Sequence, residues 1–119
     1  MSFKFLVGSY GSFITALSFV LAPGGQSGTL SYITQTSGPY NPSWIAFHPT
    51  NSSVLYVNSE NSYGTLNSYV LNPSTGSLTS KGSVYSGGAS PAHFAPLSNG
   101  NEVYVTNVSL CLALGSANG

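Results

Sequence analysis

A unit that occurs twice constrains this chain more than any other feature. Residues 41–59 read NPSWIAFHPTNSSVLYVNS and residues 90–107 read SPAHFAPLSNGNEVYVTN. Pro42 falls on Pro91 and Trp44 on His93, 49 positions later, and Leu55-Tyr56-Val57 falls on Val103-Tyr104-Val105, 48 positions later. Each copy is a Pro-led apolar strand, a short polar turn and a second apolar strand. A repeat of this length marks stacked supersecondary units, none of which buries its faces alone.

Around the repeat the pattern is strand throughout. Phe3 to Ser9 and Phe13 to Leu21 flank a tight turn at Gly11, and Gly28 to Thr36 follows the Pro23-Gly24-Gly25 turn. The complete unit runs Pro42 to His48, Val54 to Asn58, Thr65 to Leu71 and Leu78 to Tyr85; Pro91 to Leu97 and Glu102 to Asn107 begin another. Apolar residues never hold the spacing of three and four that a helix requires, and β-branched and aromatic residues dominate. Four strands per unit at this period predict an all-β, β-propeller-like fold of about two four-stranded blades. The division is an incomplete blade over 3–36, a complete one over 42–86 and the start of a third over 91–114. A β-sandwich is the alternative architecture. The first unit lacks an equivalent of Pro42 to His48, and the apolar tail Val108 to Leu114 departs from the repeat. A homo-oligomer whose copies complete one another, or a fragment of a longer propeller, is therefore expected.

Composition narrows the function classes. Only 3% of the 119 residues are charged, namely Lys4, Glu60, Lys81 and Glu102, with neither Arg nor Asp. Phosphate contacts need clustered cations, so nucleic acid is excluded as a partner. Hydrophobic content of 41% excludes disorder of the charge-rich kind. Cys111 stands alone and reads as a small apolar strand residue. The N-terminal apolar stretch is broken by Gly8-Ser9-Tyr10-Gly11-Ser12, which fits a pair of strands better than a secretory signal. No run is long enough for a membrane helix. A cytoplasmic chain is expected rather than a secreted one, with no membrane partner. Asn51-Ser52-Ser53 and Asn107-Val108-Ser109 match the glycosylation triplet by composition alone.

Several stretches resemble the seven-bladed lactonase family, which includes 6-phosphogluconolactonases of the bacterial type and fungal carboxy-cis,cis-muconate cyclases. They are Val7-Gly8-Ser9-Tyr10, Asn41 to Pro49, Leu55 to Asn58, Asn72 to Thr79 and Ser90 to His93. The resemblance covers Phe3 to Asn107 and implies the N-terminal third of such a propeller. It implies lactone hydrolysis or lactonisation, with most of the family's polar chemistry in later blades.

For chemistry, His93 is the candidate general base, because it lies on a strand expected to line the central channel. Glu60, just past the second strand of the complete unit, is the candidate carboxylate. His48, before Pro49 at a strand end, reads as a turn residue. The two His and two Glu stand at unrelated spacings, so no metal or other cofactor is expected. A phosphosugar needs cations, and Lys4 and Lys81 alone are a poor match. The second reading is a lectin-like protein that binds a small uncharged or sugar-like ligand. Trp44, Tyr10 and Tyr104 would supply aromatic faces among Asn, Ser and Gly.

Overall fold

The computed structural model describes residues 1–108 and the backbone of residues 112–116. Ten strands form three antiparallel sheets. β1 (Ser2–Val7), β2 (Phe13–Leu21) and β3 (Gly28–Ser37) form the first sheet in that order. β4 (Ile45–His48), β5 (Asn51–Ser59), β6 (Thr65–Leu71) and β7 (Leu78–Tyr85) form the second as a four-stranded meander. The third comprises β8 (Pro91–Pro96), β9 (Glu102–Asn107) and β10 (Leu112–Ser116), with β9 in the middle. Every described connection within a sheet is a hairpin, and the described residues contain no helix.

The second sheet is packed on both faces, and its strand pattern explains why. Side chains alternate across a strand, so β5 needs apolar residues at consecutive positions to cover two neighbours. Leu55 and Val57 join Ile14, Tyr69 and Leu78, with Leu6, Ile45 and Leu71 at the margin, in a core against the first sheet. Tyr56 points the other way and joins Leu66, Phe94, Val103 and Val105, with Ala46 and Val54, in a core against the third. Two cores of five buried residues each hold the stack together. Tyr56 and Tyr69 lose solvent in these cores, and burial raises both phenols above the ordinary value of 10.0.

Strand limits differ from the sequence expectation where backbone groups find partners outside their own sheet. β1 ends at Val7 rather than Ser9, because Ser9 N–H donates to the Pro42 carbonyl of the next sheet (3.0 Å). At Gly8 the backbone runs so close to that carbonyl that a Cβ would overlap it. β4 begins at Ile45 rather than Pro42. Proline has no N–H, Ser43 N–H donates to Asn41 O (2.9 Å), and Trp44 N–H donates to Asn58 Oδ1 (2.7 Å). β5 begins at Asn51 rather than Val54, through a tight hairpin with a register shift at Phe47/His48. The tail also joins the sheet, since Leu112–Ser116 pairs with β9 from Leu112↔Thr106 to Ser116↔Glu102. Cys111 lies outside the described residues.

Candidate functional site

Antiparallel order brings the ends of β1, β3, β5, β7 and β9 and the starts of β2, β4, β6 and β8 to one end of the stack. The loops entering the second and third sheets are built alike there. Asn41 and Ser90 both hold left-handed backbone (φ 52 and 53). Asn41 N–H donates to Gly11 O and its carbonyl accepts from Glu60 N; Ser90 N–H donates to Asn61 O and its carbonyl accepts from Val108 N. Pro42 and Pro91, which follow, are fully buried. The sequence repeat is thus a repeat of hydrogen bonds, and departures from it stand out.

Polar groups concentrate at the second sheet's entrance. The Glu60 carboxylate accepts a hydrogen bond from Ser43 Oγ and from Tyr10 OH, the latter at 3.3 Å to Oε2 and 3.4 Å to Oε1. The Glu60 carbonyl accepts from Asn41 Nδ2 (3.0 Å). Ser43 Oγ in turn accepts from Asn58 Nδ2 (2.9 Å), and the same amide donates to the Pro91 carbonyl. In the third sheet Ala92, Thr106 and Val108 stand where Ser43, Asn58 and Glu60 stand in the second. The cluster is therefore centred on the second sheet, with Tyr10 reaching in from the first and Pro91 from the third, and is not a requirement of the repeat.

Aromatic rings gather beside it. Trp44 and His93, equivalent positions of successive units, pack edge to face with centroids 4.7 Å apart at 61°. Tyr104 is a second ring near His93, with centroids 6.1 Å apart at 57°. β4 and β8, the first strands of their sheets, lie against one another, as the inner strands of a propeller do on approaching its axis. Trp44 is 42% exposed and His93 half-buried, so the pair is reachable from solvent. A shallow groove of about 280 Å³, lined by Leu6, Val7, Gly8, Ser43, Trp44 and Ile45, opens beside them.

The two histidines are in different states. His48 Nδ1 accepts from Thr50 N–H (3.2 Å), which leaves the proton on Nε2 to be donated to Gly100 O (3.0 Å). Its ring is a clasp between the β4–β5 and β8–β9 turns at the far end of the stack, in keeping with a turn role. His93 is held by ring contacts alone and makes no side-chain hydrogen bond among the described residues.

The structure thus brings Tyr10 onto Glu60, and Trp44 and Tyr104 onto His93. The adjacent Ser43 and Trp44 link the two groups, and no hydrogen bond joins Glu60 to His93 among the described residues. Ser43 and Asn58 escaped sequence reasoning. Their signal is positional, a polar residue where the next unit has Ala92 and a carboxamide where it has Thr106. Neither cation reaches this end. Lys4 Nζ donates to Pro73 O (2.9 Å) at the far end, beside a larger apolar cleft of about 380 Å³ near Phe5, Phe47 and Leu71, and Lys81 is exposed on β7. No three His, Cys, Asp or Glu converge among the described residues, and no helix among them is long and apolar enough to cross a membrane.

Stacked antiparallel meanders of up to four strands, with β4 lying against β8, match the blades of a β-propeller. The family model of the seven-bladed β-propeller lactonases matches residues 4–110, and the chain belongs to that family. A crystal structure from Bacteroides uniformis, of a protein assigned as a 6-phosphogluconolactonase, superposes with a TM-score of 0.69 at 28% identity over 86% of this chain and 29% of its own. A second protein so assigned, from Bacteroides fragilis, gives a TM-score of 0.60 at 20% identity over 88% of this chain and 32% of its own. Sqt1 from Chaetomium thermophilum reaches 0.67 at 12% identity, which is a likeness of fold. No curated protein sequence gives a significant match. The chain spans less than a third of the length of these structures.

Proposed function

We propose that this chain carries the N-terminal part of a lactone-handling site, with His93 as its general base. The observation behind this reading is the contrast between the histidines, since both nitrogens of His48 are hydrogen-bonded and the His93 side chain makes no hydrogen bond among the described residues. A half-buried imidazole in contact with two aromatic rings, and without a hydrogen-bond partner among the described residues, is available to take a proton from water. In hydrolysis, water attacks the lactone carbonyl carbon as His93 removes its proton. The bond from that carbon to the ring oxygen then breaks, the oxygen takes the proton back, and a hydroxy acid is released. Lactonisation is the same path reversed. Glu60 fixes the mouth of the site by holding Ser43 and Tyr10, and Trp44 and Tyr104 offer apolar faces to the substrate ring.

Lys4 and Lys81 both lie away from this end, so these blades by themselves offer a lactone no cation. Phosphate recognition by these blades would need at least one Lys or Arg fork near His93. The test is a lactone panel with phosphorylated and uncharged members, assayed on the chain and on His93→Phe, which keeps a ring between Trp44 and Tyr104. Hydrolysis of uncharged members should fall by about 100-fold or more in the variant. Equal rates in both proteins would remove His93 from the chemistry.

A second reading, recognition of a neutral sugar, rests on a separate observation. Tyr10, Tyr40, Trp44, Tyr63 and Tyr85 are all exposed at the same end of the stack, and Tyr63 and Tyr85 are stacked with centroids 4.9 Å apart at 25°. Glycan binding that survives His93→Phe and fails in Trp44→Ala, without lactone turnover, would favour this reading.

A further inference from the structure

We propose that Asn58 is a positioning residue, whose buried carboxamide fixes Trp44 and His93 relative to one another. The proposal deepens the reading of His93 as a base, yet its geometry can be tested apart from activity. Asn58 is completely buried on β5, and both ends of its side chain are used. Oδ1 accepts from Trp44 N–H (2.7 Å), and Nδ2 donates to Ser43 Oγ (2.9 Å) and to the Pro91 carbonyl. The Asn58 backbone N–H also donates to Trp44 O (3.3 Å). One side chain therefore grips the residue that carries the indole and the strand that carries the imidazole, two positions before His93. A carboxamide offers a strong acceptor and two donors on one short planar group, which suits it to this double grip.

The neighbouring sheets show that the fold alone does not demand this arrangement. At the equivalent place in the third sheet Thr106 Oγ1 makes a single bond among the described residues, to His93 O (3.1 Å). In the first sheet the next Pro carbonyl is held by backbone, through Ser9 N–H to Pro42 O (3.0 Å). Only in the second sheet, among the described residues, does a side chain hold both the next sheet's entrance and a ring-bearing residue of its own. The grip lies where the rings meet. A threonine there would keep the hydroxyl pattern of the third sheet and lose the bond to Pro91.

Trp44 is the sole tryptophan in the chain, so its emission reports this contact without labelling. An imidazolium against an indole accepts an electron from the excited ring and quenches it. The experiment is acid titration of emission from the full chain between about pH 8 and 5, where histidines as a class take up a proton. It compares the parent, His93→Phe and Asn58→Thr, with folding followed by far-ultraviolet circular dichroism. The parent should be quenched on acidification, His93→Phe should not, and Asn58→Thr should fold yet lose most of the quenching. Lactone turnover by Asn58→Thr should fall toward 100-fold in kcat with little change in KM, as expected when reacting groups are displaced by about 1 Å. Asn58→Ser serves the same purpose if the threonine variant does not fold. Quenching in the Asn58 variants equal to the parent's, or no acid quenching in the parent, overturns the proposal. Full lactone turnover in His93→Phe together with lost quenching in Asn58→Thr would instead reject the catalytic reading and leave the positioning role standing.

Discussion

His48 and His93 show how far the surroundings decide what one type of side chain does. His48 Nε2 reaches Gly100 O across 52 residues of chain, where Gly100 turns with φ +73 so close to the imidazole that a Cβ would meet it at 2.6 Å. His48→Ala should lower stability by about 1 kcal/mol, the net worth of a typical hydrogen bond, and leave lactone turnover unchanged. Chemical denaturation of the variant checks this. Gly8→Ala should be worse, because backbone cannot yield to the added methyl; about 1–3 kcal/mol is expected from the same measurement. His48's turn role was readable from its place before Pro49, and the equivalence of Trp44 and His93 from the repeat. The Gly100 clasp was not, because pattern reading locates strands and does not say which turn meets which. Ser43 and Asn58 were hidden for a related reason. Both look like ordinary loop and strand residues until the bonds from Ser43 to Glu60 and from Asn58 to Pro91 of the next sheet are seen.

At the scale of elements, β5 carries the most structure. Its alternate residues feed two cores, so from Leu55 to Ser59 neither face is left to solvent. Leu55→Ala should destabilise by about 2–5 kcal/mol and Phe94→Ala by about 3–5, the usual range for a fully buried truncation. The two sites share no core, so the double variant should be close to additive, which equilibrium unfolding of all three variants can test. The first nine strands and their order were legible, because alternation and turn residues are local signals. Strand ends were not. β1 and β4 are shortened where Ser9 and Trp44 send their N–H groups to Pro42 and Asn58, and a hydrophobic pattern carries no record of that. The tail ran the other way. Its apolar run broke the repeat at 108–114, yet Leu112–Ser116 still pairs along β9.

For the whole molecule, scarcity of charge leaves tyrosine as the main source of pH dependence in alkali. Tyr56 and Tyr69 hold their protons more tightly in the folded chain than in the unfolded one, since burial penalises the phenolate. The stability this adds is fully present below the unfolded value near 10 and is lost as pH rises through the folded values. Tm should therefore fall in alkali, and less so in Tyr56→Phe/Tyr69→Phe, as thermal melts across that range would show. The chain belongs to the seven-bladed lactonase family, β4 and β8 lie against one another, and His93 on β8 makes no side-chain hydrogen bond among the described residues. The most direct test compares kcat/KM for an uncharged lactone in His93→Phe and His48→Phe, prepared side by side and matched for folded fraction. The account predicts near-complete loss in the first and a parental value in the second. Loss in His48→Phe with retention in His93→Phe would contradict it.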